Sequence, residues 1–169
     1  MNMEISMERK EYEYTFKVAS LQPFFDYCQK NGFTFINKFK QTRTIYRNEN
    51  KTMARITMNT NDTGTTKELD FKEDNWVAGA VVKELRESLP LKYESDDGVL
   101  SILEFLNYKK DNTMERTRYI YEKQNVKFEF DEYQQPKQSY IVAVEGVKNL
   151  VDKIYNEVKD LSPKHRSHN

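Results

Sequence analysis

Residues 11–18 (EYEYTFKV) alternate without a break. Tyr12, Tyr14, Phe16 and Val18 fall on one side; Glu11, Glu13, Thr15 and Lys17 fall on the other. A period of two predicts a half-buried β-strand. Segment 20–31 (SLQPFFDYCQKN) predicts a short helix, with Ser20 as its cap, Pro23 in its first turn and Gly32 as its stop. Residues 33–47 predict a strand bent near Asn37. Two further strands are predicted at 52–59 and 66–72, after turns at 48–51 and at Asn61-Asp62-Thr63-Gly64.

Residues 75–88 place Val77, Val81, Val82 and Leu85 at helical spacing and predict an amphipathic helix. Asp96 or Asp97 is expected to cap a shorter helix through 98–106. Strands are predicted at 114–122, 126–132 and 138–145. Gly146 breaks the last, and 147–160 close the chain with a helix whose apolar side carries Leu150, Val151, Ile154 and Val158. The order β-α-β-β-β-α-α-β-β-β-α predicts an α+β fold on a largely antiparallel sheet. No composition shift marks a linker. A single domain over 11–161 is therefore expected, with a lead-in at 1–10 and a disordered tail at 162–169.

Composition narrows the chemistry. A chain of 169 residues buries about two-thirds of its unfolded surface without a covalent staple. The single Cys28 excludes an internal disulfide and every multi-cysteine zinc site; beside Phe24 and Phe25 it reads as a core residue. Lys+Arg and Asp+Glu each number 27, so the basic excess of a nonspecific nucleic-acid binder is missing. No apolar run approaches the ~20 residues of a membrane span, and the polar N-terminus does not read as a signal peptide. A cytoplasmic protein with no membrane partner is expected. Both histidines, His165 and His168, lie in the tail, which excludes histidine-based triads. No phosphate-cradling glycine motif is present.

The polar strand faces hold the candidate chemistry. Glu11 and Glu13 share one face, Arg43 and Arg47 another. Arg55 and Lys72 sit on the third and fourth strands. Arg116 and Arg118 share a face, Lys127, Glu129 and Asp131 share the next, and Glu145 ends the last strand. The plainest reading is a solvated outer face, with Arg116 and Arg118 pairing across strands to Glu68, Asp70 or Glu129 and Asp131 opening a turn toward Gln134–Pro136. The amphipathic helices, however, need the apolar faces. With seven or eight strands the sheet can curl or close, so that the polar faces line a lumen. Carboxylates there suit Mg²⁺ or Mn²⁺, and Arg and Lys suit phosphate oxygens.

At this point the sequence resembles the CYTH domain, or triphosphate tunnel metalloenzymes, from about residue 11 to 160. EYEYTFKV is similar to the family's Glu-x-Glu-x-Lys strand, and QTRTIYR to its Gln-x-Asp-x-Tyr-Phe-Asp strand. MARIT is similar to Arg-Ile-Arg, and ELDFK to a strand ending in an inward Lys. RTRYIYE, VKFEFDEY and IVAVEG resemble the last three strands. The resemblance implies a mostly antiparallel, eight-stranded, closed or nearly closed β-barrel, a tunnel with helices packed outside. It implies Glu11, Glu13 and Glu145 as ligands of Mg²⁺ or Mn²⁺, and Arg55, Lys72, Arg116 and Arg118 as triphosphate ligands. Lys17 and Arg43 extend the expected phosphate-binding set. Glu13 and Asp131 are the expected catalytic carboxylates, Asp131 completing the acidic cluster or orienting a water.

The implied activity is metal-dependent hydrolysis of inorganic, nucleoside or thiamine triphosphate by a monomer or homodimer, with an RNA 5′-triphosphate end as a remaining possibility. Departures keep other readings open. Thr15 replaces the motif Lys, Arg43 and Arg47 replace Asp, Thr57 replaces Arg and Ala143 replaces Glu. An alternative register on Glu8-Arg9-Lys10 restores the Lys but supplies one Glu. A catalytically degenerate nucleotide or polyphosphate binder, a class IV-type adenylyl cyclase and a plain interaction domain are the alternatives.

Overall fold

The structure, a computed structural model, describes residues 10–74 and 81–162. In chain order the elements are β1 (Lys10–Val18), α1 (Gln22–Lys30), β2 (Thr34–Arg47), β3 (Thr52–Asn61), β4 (Gly64–Glu73), β5 (Val82–Arg86), β6 (Leu91–Lys92), α2 (Asp96–Phe105), β7 (Lys109–Lys123), β8 (Val126–Gln135), β9 (Ser139–Gly146) and α3 (Lys148–Val158). The predicted lead-in, the register on Glu8 and Arg9, and the tail beyond Ser162 lie outside the described residues.

All the pairings are antiparallel, in the order β5-β1-β9-β8-β7-β2-β3-β4-β6. The class is α+β, as the sequence predicts, but the closed eight-stranded barrel does not form. The sheet has nine strands and curls into a half-barrel. β4, next to one end, touches the residues that follow β5 at the other through one bridge, Lys72 with Glu87, and through the Ser88 N–H donating to the Phe71 carbonyl at 2.8 Å. The difference arises at 75–88. Residues 75–80 lie outside the described residues, and Val82–Arg86 are a strand paired with β1, not a helix. Lys83 and Leu85 face inward and half-buried while Val82, Glu84 and Arg86 are exposed. The inward face mixes a cation with an apolar residue, so period two was hidden behind apparent helical spacing.

The ladder also explains the predicted bend. The register of β2 against β7 shifts between Phe35 and Asn37, a bulge that increases local twist and curvature. The Asn61–Gly64 turn is a two-residue hairpin, with Asn61 opposite Gly64. α2 is capped by Ser95, whose Oγ accepts from the Gly98 N–H at 3.0 Å, rather than by Asp96 or Asp97. At the end of β9, Gly146 adopts φ +142°. A Cβ there would lie 2.0 Å from the Asn125 carbonyl oxygen, so only glycine lets β9 turn this close to the β7–β8 hairpin.

The helices cover the outer, apolar strand faces. α1 and α3 pack over β1, β9 and β8 around Phe24, Cys28, Phe128, Phe130, Val142, Val144 and Val151, all fully or nearly fully buried. Tyr14 stacks on Tyr155 at 4.0 Å, and the Tyr12 and Tyr14 hydroxyls donate to Asp152 at 2.5 and 2.8 Å, which ties α3 to β1. α2 packs Val99 and Leu103 on Ala54 and Leu69 of β3 and β4. None of the described helices is long and apolar enough to cross a membrane.

Candidate active site

On β8, Phe128 and Phe130 point out into the helices, so Glu129 and Asp131 must point in. Both faces of this strand are buried: Glu129 is 9% and Asp131 2% exposed. Two acids at such burial require partners, and β7 supplies them. Arg118 lies opposite Asp131; its Nε and Nη2 donate to the two Asp131 oxygens at 2.8 and 2.9 Å, and its Nη1 pairs with Glu129. Burial alone would raise Glu129, but Arg118, Lys127, Arg116 and Arg43 outweigh it and hold the carboxyl at about 2.

Arg116, two residues away, donates from Nε to Gln41 Oε1 at 2.6 Å and from Nη1 to the Tyr133 hydroxyl, and lies 3.5 Å from Asp131. Its Nη2 is buried with no hydrogen-bond partner among the described residues. Arg55 is clasped by Asp70 and approaches Glu87 at 3.6 Å. Arg43 is different. Its Nε donates to Thr57 Oγ1 at 3.0 Å, but no carboxylate lies within salt-bridge distance among the described residues. Burial, then the nearby charges of Arg116, Arg55 and Arg118, drive its pKa well down, which marks a guanidinium whose charge is poorly compensated.

The acids gather on the other side of the same inner face. Glu13 and Glu145 are register partners. Glu11, Glu129 and Glu145 each bring an oxygen within 4.8 Å of the others. Lys72 reaches Glu11 at 3.3 Å and Glu13 at 3.6 Å, and Lys127 reaches Glu145 Oε1 at 2.6 Å. Glu145 Oε2 remains buried without a partner among the described residues. Burial and then Glu11 raise Glu13. Burial, a hydrogen bond with Glu11 and the Glu11 charge push Glu87 up to about 7.

A cavity of about 560 Å³ runs along this face. It is lined by nine of the residues singled out from sequence: Glu11, Glu13, Arg43, Arg55, Lys72, Arg116, Arg118, Asp131 and Glu145. Lys17 is exposed at the end of β1 and does not line it. Glu129, which shares an inward face with Asp131, joins the acidic cluster although no site role is assigned to it from sequence. Lys83 and Glu87 also line the cavity; the alternation Lys83-x-Leu85-x-Glu87 was their only signal, and the helical reading of 75–88 concealed it.

The sequence matches no protein-family model and no curated protein. The fold does match solved structures. PH1012 of Pyrococcus horikoshii aligns with TM-score 0.68 at 17% identity, covering 89% of each chain. HpAC1 of Hippeastrum, for which a dominant triphosphatase activity is described, aligns with TM-score 0.66 at 13% identity, over 94% of this chain and 91% of that one. The RNA triphosphatase domain of the mimivirus mRNA capping enzyme aligns with TM-score 0.51 at 10% identity, over 90% of this chain and 87% of that one. At these identities the likeness is one of fold.

Proposed function

We propose that the protein hydrolyses a triphosphate-bearing compound with the help of a divalent cation. One observation carries this reading. The same inner face holds an anion receptor with an unsatisfied buried donor, Arg116 Nη2, beside a cation receptor with an unsatisfied buried acceptor, Glu145 Oε2. Buried polar atoms of that kind are costly to leave unmade, and a metal–triphosphate complex satisfies both kinds at once. The triphosphatases among the structural neighbours support the same direction.

The donor set fits a hard cation. Glu11, Glu129 and Glu145 offer carboxylate oxygens only, the chemistry of Mg²⁺ or Mn²⁺ rather than of zinc. A cation held there supplies charge neutralisation at the phosphoryl oxygens. The chain's own groups do the rest. Arg43, Arg55, Arg116, Arg118 and Lys72 bind the phosphate chain and stabilise charge developing on its oxygens. Asp70, Asp131 and Gln41 fix the guanidinium planes before substrate arrives. Asp131, bound on both oxygens by Arg118, is assigned to positioning. Glu13, whose ion pair with Lys72 is a long contact of 3.6 Å, is assigned as base. A water oxygen attacks the terminal phosphorus, the bridging P–O bond breaks, the water's proton passes to Glu13, and orthophosphate leaves with the diphosphate product.

A second reading has its own observation. Each of the three clustered carboxylates is already ion-paired, to Lys72, Arg118 or Lys127. That internal compensation suits a module that binds polyphosphate without cleaving it. Phosphate release from tripolyphosphate, ATP, GTP and thiamine triphosphate with Mg²⁺ or Mn²⁺ separates the two. Hydrolysis predicts metal-dependent release that drops at least 100-fold in Glu13→Ala. Absence of release, with tripolyphosphate still raising the melting temperature, selects the binding module.

A further inference from the structure

The two ends of the cavity differ in chemistry. At one end it merges with a hollow of about 530 Å³ through Glu11, Glu87, Lys127 and Glu145. At the other it merges with a hollow of about 430 Å³ through Arg43, Arg55, Lys72, Lys83, Arg116 and Tyr133. The wall of this second mouth is formed by Ile45, Met53, Val82, Leu85, Met114 and Tyr133. The register shows why these residues meet. On three neighbouring strands the inward position next to an arginine is apolar: Ile45 follows Arg43 on β2, Met53 precedes Arg55 on β3, and Met114 precedes Arg116 on β7. Arg43 faces Met114 across one ladder, and Ile45 faces Arg55 across the next. Three strands thus change from cation to apolar side chain at the same end of the site.

We propose that this mouth seats the organic body of the substrate, an uncharged aromatic base, so that the chain takes a nucleoside triphosphate in preference to inorganic triphosphate. The assignment rests on the triphosphate reading above and deepens it. Inorganic triphosphate engages the arginines and leaves the half-buried Met53 and Met114 against water. A flat base covers them, and methionine side chains adapt to an aromatic face through their sulfur. A cationic heterocycle fits less well, because the mouth carries Arg43, Arg47, Arg55, Lys72, Lys83 and Arg116 against only Glu73, Asp74 and Glu84. The base then lies outermost, and the phosphate chain runs inward past Arg43 and Arg116 with its terminal phosphoryl group toward Glu11, Glu129 and Glu145.

Thermal-shift titration of the full chain with ATP, thiamine triphosphate and tripolyphosphate, in EDTA and in Mn²⁺, tests this. ATP is expected to bind at least tenfold more tightly than tripolyphosphate and more tightly than thiamine triphosphate. The double substitution Met53→Ala, Met114→Ala is expected to bring ATP to within threefold of tripolyphosphate, with the tripolyphosphate affinity unchanged. Leu85→Ala on the edge strand β5 gives the same comparison if the double variant does not fold. Tripolyphosphate binding as tightly as ATP, or variants that weaken both alike, overturns the mouth assignment and leaves the triphosphate reading standing. Thiamine triphosphate binding more tightly than ATP overturns the uncharged base. No shift from any of the three in either buffer overturns the triphosphate reading and the mouth assignment with it.

Discussion

Arg43 stands where the CYTH pattern that this strand resembles has an acid, and the structure gives this exchange a physical meaning. An acid at this point would sit among Arg55, Arg116 and Arg118 and compensate them; Arg43 instead adds charge to charge. Its guanidinium is costly in the free protein and favourable once an anion enters. Arg43→Met is therefore expected to stabilise the free protein, by roughly 1–4 kcal/mol if it behaves like other buried ionic groups replaced by apolar ones, and to weaken tripolyphosphate binding. Melting curves with and without tripolyphosphate check both signs; a variant less stable in buffer would contradict the account. Glu87 offers a second test, with pH as the variable. Burial and Glu11 hold it at about 7, above its usual value of 4.5. A raised carboxyl favours the fold below the unfolded value, and that contribution is lost as pH rises through the folded one. Glu87→Gln keeps the neutral form at every pH. It is expected to raise the melting temperature by about 3 °C at pH 8, corresponding to about 1 kcal/mol after allowance for solvent screening, and to change nothing at pH 4.5.

The strands with clean alternation were legible as elements. β1, β8 and β9 bury Val18, Phe128, Phe130, Val142 and Val144 against the helices, as their period-two pattern implies. Phe130 touches Phe24, Phe25, Tyr121 and Phe128. Phe130→Ala is expected to cost about 3–5 kcal/mol in urea unfolding, a loss that α1 and α3 together cannot absorb. β5 was not legible, because its inward face and the position that continues it carry Lys83, a single Leu85 and Glu87, and its outward face is open. An edge strand that helps line a charged cavity does not follow the apolar-in, polar-out rule on which a sequence reading depends. The same inversion explains Glu129. Its burial comes from the cavity rather than from a core, and its partner Arg118 sits on a strand that only the tertiary ladder brings beside it.

At the scale of the whole molecule, the alternation could say that each strand has a charged face, but not where that face looks. That is settled by the helices, which occupy the apolar side, and by the curl of the sheet, which turns the charged sides toward one another. The number of strands and the open ladder depended on β5 and β6, the two elements without a clean pattern. The consequence is that opposite charges on the two strands that flank β8, Arg116 on β7 and Glu145 on β9, serve one cavity with unsatisfied atoms of both kinds. The most direct test is a calorimetric titration of tripolyphosphate into the protein with Mn²⁺ present, repeated with Arg116→Gln and Glu145→Gln. The account predicts saturable one-site binding that weakens at least tenfold in Arg116→Gln, and a Mn²⁺ dependence that disappears in Glu145→Gln. Binding that is absent in the unmodified protein, or indifferent to both substitutions, would contradict it.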